Sequence, residues 1–164
     1  MLSFMVLLTL AIHPCLSEAV ENPDKPCVEE RDEKRFDTFL KHHLNKDIPK
    51  NEEVKEWRSF IDKIDTWKRP SQSFFRFSNE SEKDNVIAVC STGGKKHKGN
   101  LCISKEKLNF IHVTIDNNNV MKVTKKYDYV ILACDKVKVK NKCLPVHFEK
   151  NGNGATPGNT QDCS

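Results

Sequence analysis

Several features are scarce or missing in this 164-residue sequence, and each absence narrows what it can be. No apolar run is long enough to cross a bilayer. Only Met1–Ile12 comes close, and a span takes about 20 residues, so an integral membrane protein is disfavoured. No two cysteines have C-x-x-C spacing and no Cys/His cluster lies close in sequence, so neither a structural zinc site nor any other metal or cofactor is expected. Glycine is rare, with 6 in the chain and three of them in Asn151–Ser164. There is no internal repeat and no composition break that would mark a second domain. One compact domain remains, with a modest core built from patterned Leu, Ile, Val and Phe runs.

What is present begins with an address. Met1–Cys15 is an apolar stretch followed by Pro14 and small residues, the pattern of a secretory signal peptide, although no Lys or Arg precedes the apolar run. Cleavage after Ser17 or Ala19 fits, with Ala19 preferred. Residues 1–19 are therefore read as the signal, 20–150 as the folded domain, and 151–164 as a flexible tail that Cys163 can tether. Cys15 leaves with the signal. Cys27, Cys90, Cys102, Cys134, Cys143 and Cys163 remain. Six cysteines in a small secreted chain imply three disulfides, with fifteen possible pairings. Asn79-Glu80-Ser81 is an N-glycosylation sequon that uses the same route. A secreted, extracellular monomer is expected.

Charge is unevenly spread. Residues 20–65 hold 10 bases and 13 acids, whereas 66–150 hold 17 bases and 8 acids. A cationic second half suits a polyanionic partner: nucleic acid, a heparin-like glycan or an anionic membrane. Lys95-Lys96-His97-Lys98 is the densest basic run, and after Gly93-Gly94 it reads as an exposed loop.

The periodicity predicts helices first and strands afterwards. Phe36, Phe39, Leu40, His43 and Leu44 share one face of a helix over Glu29–Leu44. Val54, Trp57, Ile61 and Ile64 form the stripe of a second over Asn51–Trp67, capped by Asn51. Beyond Pro70 the β-branched and aromatic runs Val86–Cys90, Leu108–Ile115, Val120–Thr124, Tyr129–Cys134 and Cys143–Phe148 read as strands, with a hairpin turn at Asp116–Asn119. The fold class is α+β: two or three N-terminal helices on a curved antiparallel sheet, stapled by disulfides.

Two histidines stand on elements that must pack together, His43 on the first helix and His147 in the last strand. A neutral imidazole accepts a proton and a protonated one donates it, and both forms exist near the ordinary histidine pKa of about 6.5. Lys68 or Arg69, just past the second helix, is placed to stabilise developing phosphorane charge. His97 and His112 are read as structural or exposed.

Phe39-Leu40-Lys41-His42-His43-Leu44, Val86-Ile87-Ala88-Val89-Cys90, Val130-Ile131-Leu132-Ala133-Cys134 and Leu144-Pro145-Val146-His147-Phe148-Glu149 together resemble the ordered blocks of secreted pancreatic-type ribonucleases. The separations are near those of the family: 47 residues from His43 to Cys90, 44 to Cys134 and 13 to His147. The resemblance covers roughly Phe36–Glu149. It implies the ribonuclease fold, and two strands around a Cys90–Cys134 bridge, leaving three pairings for Cys27, Cys102, Cys143 and Cys163. It also implies metal-independent cleavage of RNA, 3′ of pyrimidines, through a 2′,3′-cyclic phosphate. His43 is then the general base and His147 the general acid. Glu149 orients His147, Phe148 shapes the phosphate site, and His42 stands where the family has a phosphate-touching Gln. Lys41, Lys96 and Lys98, with Lys150, are expected at flanking phosphates.

The chain departs from that pattern where the family has Cys-Lys-x-x-Asn-Thr-Phe. Here the match is Lys68-Arg69-Pro70-Ser71-Gln72-Ser73-Phe74, which puts Arg69 at the lysine position and Ser73 at the base-reading threonine. Arg and Lys are not equivalent cations, and Lys68 is an alternative source of the charge. Two family disulfides are missing, with Trp57 and Lys68 at two of the cysteine positions and no cysteine near Ile115 or Val123. A ribonuclease-fold binding protein with little catalysis, acting in host defence or on other polyanions, is the alternative reading.

Overall fold

The structure, a computed structural model, describes residues 25–28 and 30–164. The expected signal peptide, 1–19, lies outside the described residues. In chain order the elements are β1 (Glu30–Arg31), α1 (Glu33–His43), α2 (Val54–Ile64), β2 (Ser71–Phe74), α3 (Glu80–Ile87), β3 (Gly94–Lys96), β4 (Leu101–Ser104), β5 (Leu108–Asp116), β6 (Asn119–Asp128), β7 (Ile131–Val137) and β8 (Lys142–Glu149). Single 3-10 turns follow α3 at Ala88–Cys90 and β7 at Lys138–Lys140.

The first helix starts later than its periodicity suggests. Asp32 caps it, its carboxylate accepting from the Lys34 N–H at 3.2 Å, and the residues before the cap pair in parallel with β7. Glu33 in the first turn and Lys41, His42 and His43 in the last complement the helix dipole. The second helix is shorter at both ends than Asn51–Trp67. Asn51 does not cap it; it lies two residues before the N-cap, Glu53, and its side chain accepts from the Glu53 N–H at 2.9 Å. Asp65 then ends the helix in the left-handed region at φ 54°. Val54, expected on the buried stripe, is exposed.

Val86–Cys90 is not a strand. It is the end of α3 and a 3-10 turn. Asn79 accepts from the Glu82 N–H at 3.0 Å, while the Glu82 carboxylate accepts from the Ser78 N–H at 2.6 Å. This capping pair nucleates a helix upstream of the β-branched run. The Gly93-Gly94 and Lys95–Lys98 segment is not a free loop either. It enters β3, where Gly94 passes so close to the 3-10 turn that a Cβ would sit 2.0 Å from the Val89 carbonyl oxygen.

Two sheets result. One runs β1-β7-β4-β3, with β8 also on β7; the other runs β2-β5-β6. All pairings are antiparallel except β1 with β7. Asn117 and Asn118, at φ 47° and 56°, make the tight turn between β5 and β6, a conformation that asparagine tolerates.

The core has two main parts. Phe39, Leu44, Phe75, Val89, Val130 and Leu132 pack beside α1 and the first sheet. Trp57, Phe60, Ile61, Ile64, Phe74 and Val113 join α2 to the second. Trp57 is fully buried, with its Nε1–H donating to the Asn51 carbonyl at 2.8 Å. Ile115 and Val123 share its cluster. Apolar packing thus occupies the place where the resemblance expects a crosslink.

Among the described residues three disulfides are formed: Cys27–Cys143, Cys90–Cys134 and Cys102–Cys163. The tail is fastened through Cys163. Its Asp162 accepts from Lys95 and Lys105, each at 2.9 Å, and the Gln161 carbonyl accepts from the Lys96 N–H. Among the described residues, no helix is long and apolar enough to cross a membrane.

Candidate active site

The last turn of α1 is fastened to β2 by three hydrogen bonds. The His43 carbonyl accepts from the Phe75 N–H at 2.7 Å, and the His42 carbonyl accepts from Gln72 Nε2 at 2.8 Å. The third joins His43 Nδ1 to the Ser73 carbonyl at 2.8 Å. A carbonyl can only accept, so Nδ1 carries the proton, and in the neutral ring Nε2 keeps a bare lone pair. The imidazole is 5% exposed and lies between Phe39 and Phe148, with ring centroids at 5.2 and 5.8 Å. Burial drives its pKa down to about 3. The Ser73 bond opposes that shift, while Arg69, His147 and His42 add to it.

His147 comes from β8, opposite Ala133 of β7. The pairing slips by one residue between Ala133 and Cys134, leaving Val146 as a bulge just before the histidine. Its side chain is 51% exposed, and Nε2 is 3.6 Å from a Glu149 carboxylate oxygen. That separation is too long for a hydrogen bond, so the pair is a loose charge contact.

His43 and His147 line one cleft of about 280 Å³ with Arg69, Ser73, His112 and Lys150. Phe148 forms part of its wall, and among the described residues no carboxylate lines it. Two fixed cations and three imidazoles make it a site for an anion, with a proton acceptor whose tautomer is fixed and a second imidazole open to water. Of the two expected sources of positive charge, Arg69 lines the cleft and Lys68 does not.

The remaining expected residues are spread more widely. His42 is partly buried and outside the lining. Its Nδ1 has no hydrogen-bond partner, and burial, Arg69 and Lys41 lower its pKa. Lys41 is exposed at the end of α1. Lys96 lies on β3 with its Nζ 3.2 Å from Gln161 Oε1, and Lys98 follows in the next turn; neither lines the cleft. Asn79 is exposed at the start of α3, where its Oδ1 serves as the cap. Cys90, Cys134 and Cys143, which cluster closely, are all in disulfides.

His112 is the residue that sequence reasoning missed. It lies on β5 directly opposite Ser73 of β2, with Nδ1 3.2 Å from the Ser73 hydroxyl oxygen. The alternation of β5 puts it on the same face as Phe110, but the register with β2 that brings it to Ser73 depends on a pairing distant in sequence.

No family model and no curated protein sequence matches the chain. Solved structures do. Zebrafish RNase5 superposes with a TM-score of 0.56 at 19% identity, over 73% of this chain and 95% of that one. Green turtle egg white ribonuclease gives 0.55 at 16% identity, over 71% and 97%. RNase ZF-1A gives 0.55 at 18%, over 74% and 94%. What these proteins share with the chain is the fold.

Proposed function

We propose that the chain is a divergent pancreatic-type ribonuclease, a metal-independent endonuclease that cleaves RNA by proton transfer between two histidines. His43 Nε2 takes the proton of a ribose 2′-hydroxyl, whose oxygen attacks the adjacent phosphorus. His147 gives a proton to the departing 5′-oxygen. The products are a 2′,3′-cyclic phosphate and a free 5′-hydroxyl, and water opens the ring in a second step. Arg69 neutralises the charge that grows on the phosphoryl oxygens, and Lys150 holds the phosphate nearby. Ser73 meets the base. Glu149 orients His147 toward the leaving oxygen.

The observation that carries this reading is the fixed tautomer of His43 in a cleft shared with His147. A base must present a bare nitrogen at working pH, and the Ser73 carbonyl ensures that it does. Burial makes that nitrogen a weak base. A phosphate dianion or diester beside it favours the protonated ring and restores basicity when substrate binds. The fold shared with three ribonucleases is consistent with this chemistry.

Three disulfides favour an oxidising compartment, and with the apolar leader they support secretion. Asn79, exposed in its sequon, is proposed as the glycan site. Its Nδ2 can bear the sugar while Oδ1 continues to cap α3. The partner is single-stranded RNA, engaged by a monomer.

The decisive experiment is cleavage of yeast RNA in EDTA. Activity is expected in the wild type and is lost in both His43→Ala and His147→Ala. Equal background in all three overturns the assignment. Salt-sensitive RNA binding that survives both substitutions would mark a polyanion-binding protein instead.

A further inference from the structure

A cavity of about 620 Å³ shares no residue with the cleft that holds His43 and His147. Both cysteines of the Cys27–Cys143 bridge line it, together with Lys136, Lys142 and Asp84. Cys27 and Cys143 are only partly buried, whereas Cys90 and Cys134, which form the neighbouring bridge, are 0% exposed. The two bridges adjoin. Cys143 Sγ lies within 4.8 Å of both Cys90 Sγ and Cys134 Sγ, and Cys27 Sγ is 3.7 Å from the Cys90 carbonyl oxygen. An accessible disulfide thus leads straight onto a sealed one.

A disulfide is opened by an attacking thiolate, and access decides which bridge reacts first. Only Cys27–Cys143 of this pair faces a cavity that a small thiol can enter. Lys136 stands opposite Cys143 across the β7–β8 ladder, and Lys142 directly precedes it. With Asp84 of α3 as the opposing carboxylate, these two ammonium groups draw in an anionic thiol in preference to a neutral one. Cys27 has a φ of 67°, a left-handed backbone that a Cβ disfavours, so opening the bridge also releases a constrained segment.

We propose that Cys27–Cys143 is a thiol-exchange site for anionic small-molecule thiols, and that it relays the exchange to Cys90–Cys134. The incoming thiolate bonds to Cys27 Sγ, the Cys27–Cys143 bond breaks, and Cys143 leaves as a thiolate. Two further sulfurs crowd Cys143, which assigns the incoming thiol to Cys27. The Cys143 thiolate then bonds to one sulfur of Cys90–Cys134 and expels the other. The expelled sulfur takes up the proton that the small thiol gave up. Each step makes one S–S bond and breaks one, so nothing is oxidised or reduced overall. The product carries the small thiol on Cys27, a relocated bridge at Cys143, and a thiol at Cys90 or Cys134. The relocated bridge holds β8 either to β7 or to the 3-10 turn at Ala88–Cys90.

The test treats the full chain, its disulfides intact, with mercaptoethanesulfonate and in parallel with mercaptoethanol, at neutral pH and low salt. Thiols are trapped with N-ethylmaleimide, and non-reduced peptides are mapped by mass spectrometry. The first product is expected to bear one small thiol on Cys27 and one trapped thiol at Cys90 or Cys134. It should form about tenfold faster, per thiolate, with the sulfonate. In Cys27→Ser, where Cys143 starts as a thiol, the relocated bridge is expected with no thiol added. A first modification at Cys102 or Cys163, a trapped thiol that stays at Cys143, or equal rates with the two thiols overturns the inference. If Cys27→Ser does not fold, the wild-type map decides alone. The map reads bonds and not RNA cleavage, so its outcome is independent of the ribonuclease reading.

Discussion

His43 and His147 enter the same cleft from regions built on opposite plans. The α1–β2 seam surrounds His43 with Phe39 and Phe148, fixes its Nδ1 to a backbone carbonyl and leaves the residue 5% exposed. On β8, His147 follows a bulge, is half open to water and has only a loose contact with Glu149. A proton acceptor gains from a rigid site in which the wrong tautomer is impossible. A proton donor must be reloaded after each turnover, and a solvent-facing ring does that without a relay. The difference between the two sites suits the roles proposed for them, His43 as acceptor and His147 as donor.

The largest expected effect comes from deleting either ring. His43→Ala and His147→Ala should each lower kcat/KM for RNA by about 10²–10⁴, the range for a positioned acid or base. A wild-type level of activity in either variant would break the comparison at its root. Arg69→Ala is next, with a loss of about 10²–10³ if the guanidinium meets charge in the transition state. Arg69→Lys, measured alongside it, should recover part of that loss because the cation remains.

The buried ring also makes a prediction about stability. Unfolded, an imidazole titrates near 6.5; in the folded protein burial holds His43 down at about 3. Between those values the unfolded chain binds a proton that the native protein refuses. Stability is therefore full above the unfolded value and falls as the pH drops toward the folded one, by about 2 kcal/mol at pH 5. Urea denaturation at neutral pH and at pH 5 measures the slope, and His43→Ala should lack this contribution. The smallest effect belongs to Glu149→Gln. Its contact with His147 is long and exposed, so a loss in kcat of less than about tenfold is expected, and a larger one would mean that the β8 side is held more tightly than it looks.

The parts of the fold that could be read from the sequence were those set by local signals. The α1 stripe of Phe36, Phe39 and His43, the Asn117-Asn118 turn and the alternating strands from Leu108 onward follow from side-chain period and turn chemistry. Val86–Cys90 misled because its β-branched residues read as a strand, whereas the capping pair Asn79 and Glu82 had already started a helix upstream. In the cleft, His43, His147 and Arg69 could be picked out by residue type and order. His112 could not, because it becomes interesting only through the β2–β5 register. The pairings of Cys27 and Cys102 were equally hidden, being decided by contacts between residues 116 and 61 positions apart.

The crosslinks constrain how the protein can be made. Each bridge ties a cysteine at position 27, 90 or 102 to one at 134, 143 or 163. A nascent chain that has not yet reached residue 134 holds no native pair to oxidise, however well its helices have formed. The last bridge waits for Cys163, so its closure is a late event in synthesis, and a product that stops before Cys163 would leave Cys102 as a free thiol.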